Sequence, residues 1–133
     1  MKFLLDTHVF LWWVMDDARL TAGIRTLLAD RSHVLLLSAV SGWEMAIKVG
    51  IGKLKLPIRS GSISRFVMNQ MELNGMESLP VFLSHSLAVA ELPNHHQDPF
   101  DRLLVAQSKV EEIPLVTADR MLAKYNIKTV WKA

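Results

Sequence analysis

Asp6, Glu44, Asp98, Asp101 and Asp119 are the residues whose type and placement could do chemistry. Asp6 follows the apolar run Phe3-Leu4-Leu5. A run of that kind reads as a strand buried on both faces, and in an open α/β sheet ligands bind beyond the carboxyl ends of such strands. An ionised carboxylate there is costly unless it is paired, hydrogen-bonded or bound to a cation. Several carboxylates brought together repel one another until a cation sits among them. An all-oxygen set in a chain without cysteine suits Mg²⁺ or Mn²⁺ rather than zinc. Such ions activate water and stabilise a departing oxygen in phosphoryl transfer, with two metals about 3.5–4 Å apart as one version.

Each carboxylate also has a local explanation. Asp98 suits a helix N-cap ahead of Pro99, and Asp101 favours the positive end of that helix. Asp119 can cap a short helix. Ser41-Gly42-Trp43-Glu44 matches a capping box, which would make Glu44 structural; if Ser38 is the cap instead, Glu44 lies inside the helix and is free to lean over the strand ends. Asp6, at a strand end, is expected to have no capping role. Lys48, Lys53, Lys55 and Arg59 form a basic stretch, with no acidic residue between Glu44 and Glu72. It is either a solvated loop or a contact for a phosphate backbone. The adjacent pair His95-His96 lacks the spacing that puts two histidines on one helix face, and is read as a solvated loop; His8 and His85 are likewise not read as ligands.

The elements that must position these residues alternate. Strands are expected at Lys2 to Thr7, Val34 to Leu37, Met76 to Leu79, Pro114 to Thr117 and Ile127 to Trp131. Helices are expected over Val9 to Met15, Ala22 to Asp30 with Thr21 as cap, Ser38 to Val49, Ser62 or Ser64 to Leu73, Ser84 to Leu92, Pro99 to Val110 and Arg120 to Tyr125. In the third helix Val40, Trp43 and Ile47 share a face, with Met45 off to the side, and Trp12, Trp13 and Trp43 are read as core or as interface. The alternation argues an α/β fold with a parallel or mostly parallel sheet of about five strands and helices on both faces. Asp6, Ser38 and Thr117 then lie side by side on one edge.

Composition sets the bounds. The 133 residues are read as one domain, residues 1–133. Half the residues are hydrophobic, an excess that suggests surface covered by a partner or a second copy. No apolar run nears the ~18 residues of a membrane span, and the N-terminal apolar run is too short for a signal-peptide core. With no cysteine, the expected setting is the cytoplasm. A net charge of +2 excludes a strongly basic nucleic-acid binder.

Taken in order, Leu4-Leu5-Asp6-Thr7-His8, Ser38 through Lys48, Lys53-Leu54-Lys55-Leu56-Pro57, His96 through Leu104 and Thr117-Ala118-Asp119 resemble the motifs of a PIN domain. More narrowly, they resemble the VapC-type toxin ribonucleases of toxin–antitoxin pairs. The resemblance covers the whole chain and implies a three-layer PIN-like fold and a Mg²⁺- or Mn²⁺-dependent endoribonuclease. It implies Asp6, Glu44, Asp101 and Asp119 as the acidic set, with the metal on Asp6, Asp101 and Asp119. It leaves Asp98 as cap, outer support or ligand, and gives Thr7, Ser38 and Thr117 hydrogen bonds to the carboxylates or to water. Lys48, Lys53 and Lys55 would hold RNA. The resemblance also implies a homodimer and a cognate antitoxin that masks the site. The alternatives are a catalytically silent PIN-like module that binds RNA or protein, a phosphoacceptor domain, and a small-substrate phosphatase. A phosphoacceptor domain would carry an acidic doublet after the first strand, where Asp6 stands alone.

Overall fold

The first strand, β1 (Lys2–Leu5), is the centre of the sheet, and its apolar run is divided between two cores. This computed structural model describes residues 1–58 and 62–133; Arg59 of the expected basic stretch lies outside them. Strand side chains alternate between faces. Phe3 and Leu5 therefore join one buried cluster and Leu4 the other. Strand β2 (Val34–Ser38) repeats the division, with Leu35 and Leu37 on the first face and Leu36 on the second.

Among the described residues the remaining elements are α1 (Thr7–Val14), α2 (Ala22–Ala29), α3 (Ala39–Gly50), α4 (Ile63–Leu73), β3 (Glu77–Leu79), α5 (Leu83–Ala88), α6 (Pro99–Glu111), β4 (Leu115–Val116) and β5 (Thr129–Val130). The sheet order is β3-β2-β1-β4-β5, and all four pairings are parallel. The first core takes Val9 and Phe10 from α1, Ile24, Leu27 and Leu28 from α2, and Met71 from α4. The second takes Leu104, Val105 and Ala106 from α6. Helix α3 feeds both, with Met45 in the first and Val40 in the second. The expected layering of helices on both faces is what forms.

Register does the positioning. Leu4 pairs with Leu36 and Leu5 with Val116, so the next residues along, Asp6, Ser38 and Thr117, come level at the carboxyl edge. The chain leaves β1 toward β2 and β3, then returns to the other side of β1 for β4 and β5. Asp6 therefore stands where the strand order reverses, the place such sheets open a crevice.

Several expectations are corrected. Strand β1 ends one residue before Asp6, and Asp6 is itself the N-cap of α1, accepting from the His8 amide at 3.4 Å. No loop separates strand from helix, so the strand-end residue acquires a cap role. The inward face of α3 is Val40, Ser41, Glu44 and Met45. Trp43 is 57% exposed, resting edge-on against Phe100 with ring centroids 5.0 Å apart. Met45 is fully buried. The helix expected over Ser84 to Leu92 is α5 followed by a 3-10 turn Val89–Glu91. The one expected over Arg120 to Tyr125 is a 3-10 turn Leu122–Lys124.

Candidate metal centre at the strand ends

Asp6 is buried at the mouth of the sheet. Its Oδ2 accepts from Thr117 Oγ1 at 2.7 Å and its Oδ1 from the His8 amide. Burial pushes its carboxyl above the ordinary value; the hydrogen bonds and nearby His8 pull the other way, and the Glu44 charge adds to the rise. Thr117 Oγ1 also accepts from the Asp119 amide at 3.1 Å, tying the last acidic residue to the first. Asp119 Oδ1 accepts from the Met121 amide at 2.9 Å, an Asx turn that leads into the 3-10 turn Leu122–Lys124, whose N-cap position is Met121 and not the expected Asp119.

Ser38, not Ser41, caps α3, accepting from the Val40 amide at 3.0 Å. Glu44 thereby falls one and a half turns into the helix, on its buried side, with its side chain 2% exposed. Its Oε2 accepts from Lys48 Nζ at 2.5 Å across one helical turn. Its Oε1 is buried and has no partner; among the described residues only His96 Nδ1 shares that condition. This carboxylate is felt at both Asp6 and Asp101.

Helix α6 brings the opposite wall. Asp98 is its N-cap, with Oδ1 accepting from the Phe100 and Asp101 amides at 2.9 and 3.2 Å, and Pro99 opens it. Asp101, in the first turn, is pushed up to about 7, first by burial and then by the charges of Asp6, Asp98 and Glu44. Its Oδ2 lies 3.2 Å from His96 Nε2. One ligand atom each from His96, Asp101 and Asp119 lies within 4.8 Å of the others. His96 is thus at the acidic centre and not in a solvated loop. The Arg102 guanidinium donates to the carbonyls of Pro93 at 2.9 Å and His96 at 3.4 Å, folding that loop back over the start of α6. Helix-face spacing had no bearing on a residue placed by a loop.

The donor set fits a divalent cation. Glu44 Oε1 is buried without a donor, and Asp101 is raised to about 7 by burial and by the facing acids; a cation would relieve both.

The supporting residues divide. Thr117 holds a carboxylate, whereas Thr7 Oγ1 donates to Ser41 Oγ at 2.8 Å and Ser38 Oγ donates to Gln107 Oε1. Both of these hydroxyls fasten α3 in place instead of reaching an acid. From Gln107 the chain continues: its Nε2 donates to the Pro80 carbonyl and to His85 Nδ1, and His85 Nε2 donates to Glu111 at 3.0 Å. His85 is a buried structural histidine. Replacing Gln107 by Leu leaves Ser38 Oγ without its acceptor and the Pro80 carbonyl without its donor. We expect a loss of about 2–3 kcal/mol of unfolding free energy in urea titrations; a change near zero would show the network to be dispensable.

Lys53 and Lys55 are exposed, and Lys48 is half-buried beside Glu44. Gly52, at φ +75°, turns the chain after α3, and the Lys53 and Leu54 amides both donate to the Lys48 carbonyl. A groove lined by Thr7, His8, Leu11, Glu44, Lys48 and Lys53 results. On the other side of His8, a second groove runs between Asp6, Asp119, Trp12 and Arg19.

A family model for the PIN domain matches residues 3–128. The chain belongs to the PIN domain family. No curated protein sequence matches it. Among solved structures, VapBC2 from Rickettsia felis bound to a DNA fragment from its promoter aligns with TM-score 0.67 and 14% identity, covering 98% of each chain. DNA-bound VapBC from Salmonella typhimurium aligns with TM-score 0.65 and 16% identity, over 98% of this chain and 97% of that one. VapBC-1 from nontypeable Haemophilus influenzae gives 0.64 and 14%, with the same coverage. At these identities the likeness is one of fold, and it bears out the PIN-like architecture expected from the motifs.

Proposed function

We propose that this PIN domain, residues 1–133, is a divalent-metal-dependent endoribonuclease and the toxin of a toxin–antitoxin pair. The observation that carries the reading is the set of acids converging on one strand edge, with Glu44 Oε1 buried and unpartnered. Asp6, Asp101 and Asp119 would hold Mg²⁺ or Mn²⁺. When bound, such an ion supplies charge compensation and water activation for phosphodiester hydrolysis.

The chain's own residues do the rest. Thr117 fixes the Asp6 carboxylate and the Asp119 loop through one hydroxyl. Asp98 holds the first turn of α6, and so Asp101, in place. Glu44, gripped through Oε2 by Lys48, has Oε1 free to orient the attacking water and take its proton. Lys48 and Lys53, which line the groove, and the exposed Lys55 would hold flanking phosphates of single-stranded or looped RNA. Replacing Lys53 and Lys55 together by Ala is expected to weaken RNA binding and lower the salt slope by about 1.4, at ~0.7 per single-strand phosphate contact. An unchanged slope removes them from the phosphate path.

VapBC assemblies among the structural neighbours support a cognate antitoxin. Exposed Phe82, Leu83 and Leu87 around α5 and Ile51 after α3 supply apolar surface for that partner or for a homodimer. Among the described residues no helix is long and apolar enough to cross a membrane; a cytoplasmic setting, where RNA is accessible, fits the proposal. The test is incubation of purified protein with a pool of structured RNA, in Mn²⁺ or Mg²⁺ and in EDTA. Discrete cuts that need metal are expected. Metal binding without cleavage of any RNA, at every protein preparation free of partner, would favour the silent binding module.

A further inference from the structure

We propose that His96 supplies a nitrogen ligand to the metal of this centre, so that the site is a mixed nitrogen–oxygen set and not an all-carboxylate one. The inference rests on the metal-dependent reading above and deepens it. His96 Nε2 is 3.2 Å from Asp101 Oδ2. Two neighbouring ligands of an octahedral ion at about 2.1 Å are separated by about 3.0 Å, so this contact has the spacing of a shared coordination edge. Asp119 offers a third atom within 4.8 Å of both, and the Glu44 carboxylate, whose Oε1 is buried and unpartnered, is near enough for its charge to raise Asp101.

The ring is held where it is needed. Its side chain is 16% exposed, its backbone carbonyl accepts from Arg102, and its ring meets the Tyr125 ring in a T-shaped contact with centroids 6.2 Å apart. His96 Nδ1 has no partner. No donor reserves that nitrogen's lone pair, so the ring proton can reside on Nδ1 and leave the Nε2 lone pair for a cation. Without a cation, Nε2 and the Asp101 carboxyl share one hydrogen bond at 3.2 Å. Imidazole shifts preference away from Mg²⁺ and toward Mn²⁺ and the later first-row ions.

The experiment is pulsed electron paramagnetic resonance of the full chain loaded with Mn²⁺, paired with calorimetric Mn²⁺ and Mg²⁺ titrations. A directly bound ¹⁴N coupling is expected, converting to ¹⁵N when the protein is labelled with ¹⁵N-histidine. It should persist in His8→Gln and His95→Gln and vanish in His96→Gln. His96→Gln should also weaken Mn²⁺ binding about tenfold or more, with a smaller loss for Mg²⁺. If His96→Gln fails to fold, the labelled protein and the other two variants still decide. Mn²⁺ bound and RNA cleaved without nitrogen coupling overturns the ligand assignment and leaves the nuclease reading standing. Coupling lost in His8→Gln transfers the role to His8. Neither metal binding nor cleavage overturns both.

Discussion

Asp6→Asn is expected to abolish metal-dependent RNA cleavage while raising the melting temperature of the metal-free protein. The two effects have one cause. Asp6 is 4% exposed, and its carboxyl is held above the ordinary value chiefly by burial, with Glu44 adding repulsion. The folded metal-free protein therefore carries a carboxylate that would be more easily ionised in water. Asparagine keeps the shape and retains an oxygen for Thr117 Oγ1, giving up only the longer bond from the His8 amide. Removing the charge should stabilise the fold by about 1 kcal/mol, or about 4 °C. It also removes a carboxylate proposed to hold the metal, with an expected loss of about 10³-fold or more in cleavage, some 4 kcal/mol of transition-state stabilisation. Thermal melts in EDTA and a cleavage time course measure the two. Asp6→Ala separates charge from hydrogen bonding, because it leaves the buried Thr117 hydroxyl without an acceptor and should not show the full gain. A variant that melts lower than the parent and cuts RNA at the parent rate would remove Asp6 from the centre.

Much of this centre was legible because local chemistry and global topology agree. Phe3-Leu4-Leu5 reads as a strand buried on both faces, and burial on both faces is what the two cores provide. Asp98-Pro99 reads as a helix start and is one. Agreement fails where a polar residue occupies an apolar position. Periodicity picks the wrong face of α3 because Glu44 counts as polar, so the apolar stripe runs through Trp43, which is exposed. Treating Glu44 as an inward residue would have placed Val40, Ser41 and Met45 beside it. The cap role of Asp6 carries no sequence signal because β1 passes into α1 without a turn residue. His96 left no sequence signal of its own. Its place depends on Arg102 gathering loop carbonyls from Pro93 to His96, a tertiary arrangement that spacing rules for helices do not reach.

The metal-free protein should lose stability as pH rises from about 4 to about 7, and a saturating divalent ion should abolish that loss. Asp101 is pushed from the ordinary 3.8 up to about 7. Between those values the folded chain keeps a proton that the unfolded chain has released. The folded state binds more protons, so unfolding free energy falls with rising pH through that window. Asp6, also raised, acts in the same direction. Surface acids act oppositely and elsewhere: Asp17, lowered to about 2 by the Arg19 guanidinium, contributes stability that is lost only as pH falls below 4. A cation must displace the Asp101 proton to bind, so its stabilising effect is small at pH 5 and full above pH 7. At a concentration 100 times its dissociation constant, the full effect is about 2.7 kcal/mol. Melting curves in a pH series, with EDTA or with Mn²⁺, give both slopes. Asp101→Asn should flatten the metal-free curve and remove most of the gain from metal. A metal-free melting temperature that climbs between pH 5 and 7, or a gain from Mn²⁺ that is the same at both, would mean that Asp101 neither carries the trapped proton nor yields it to a cation.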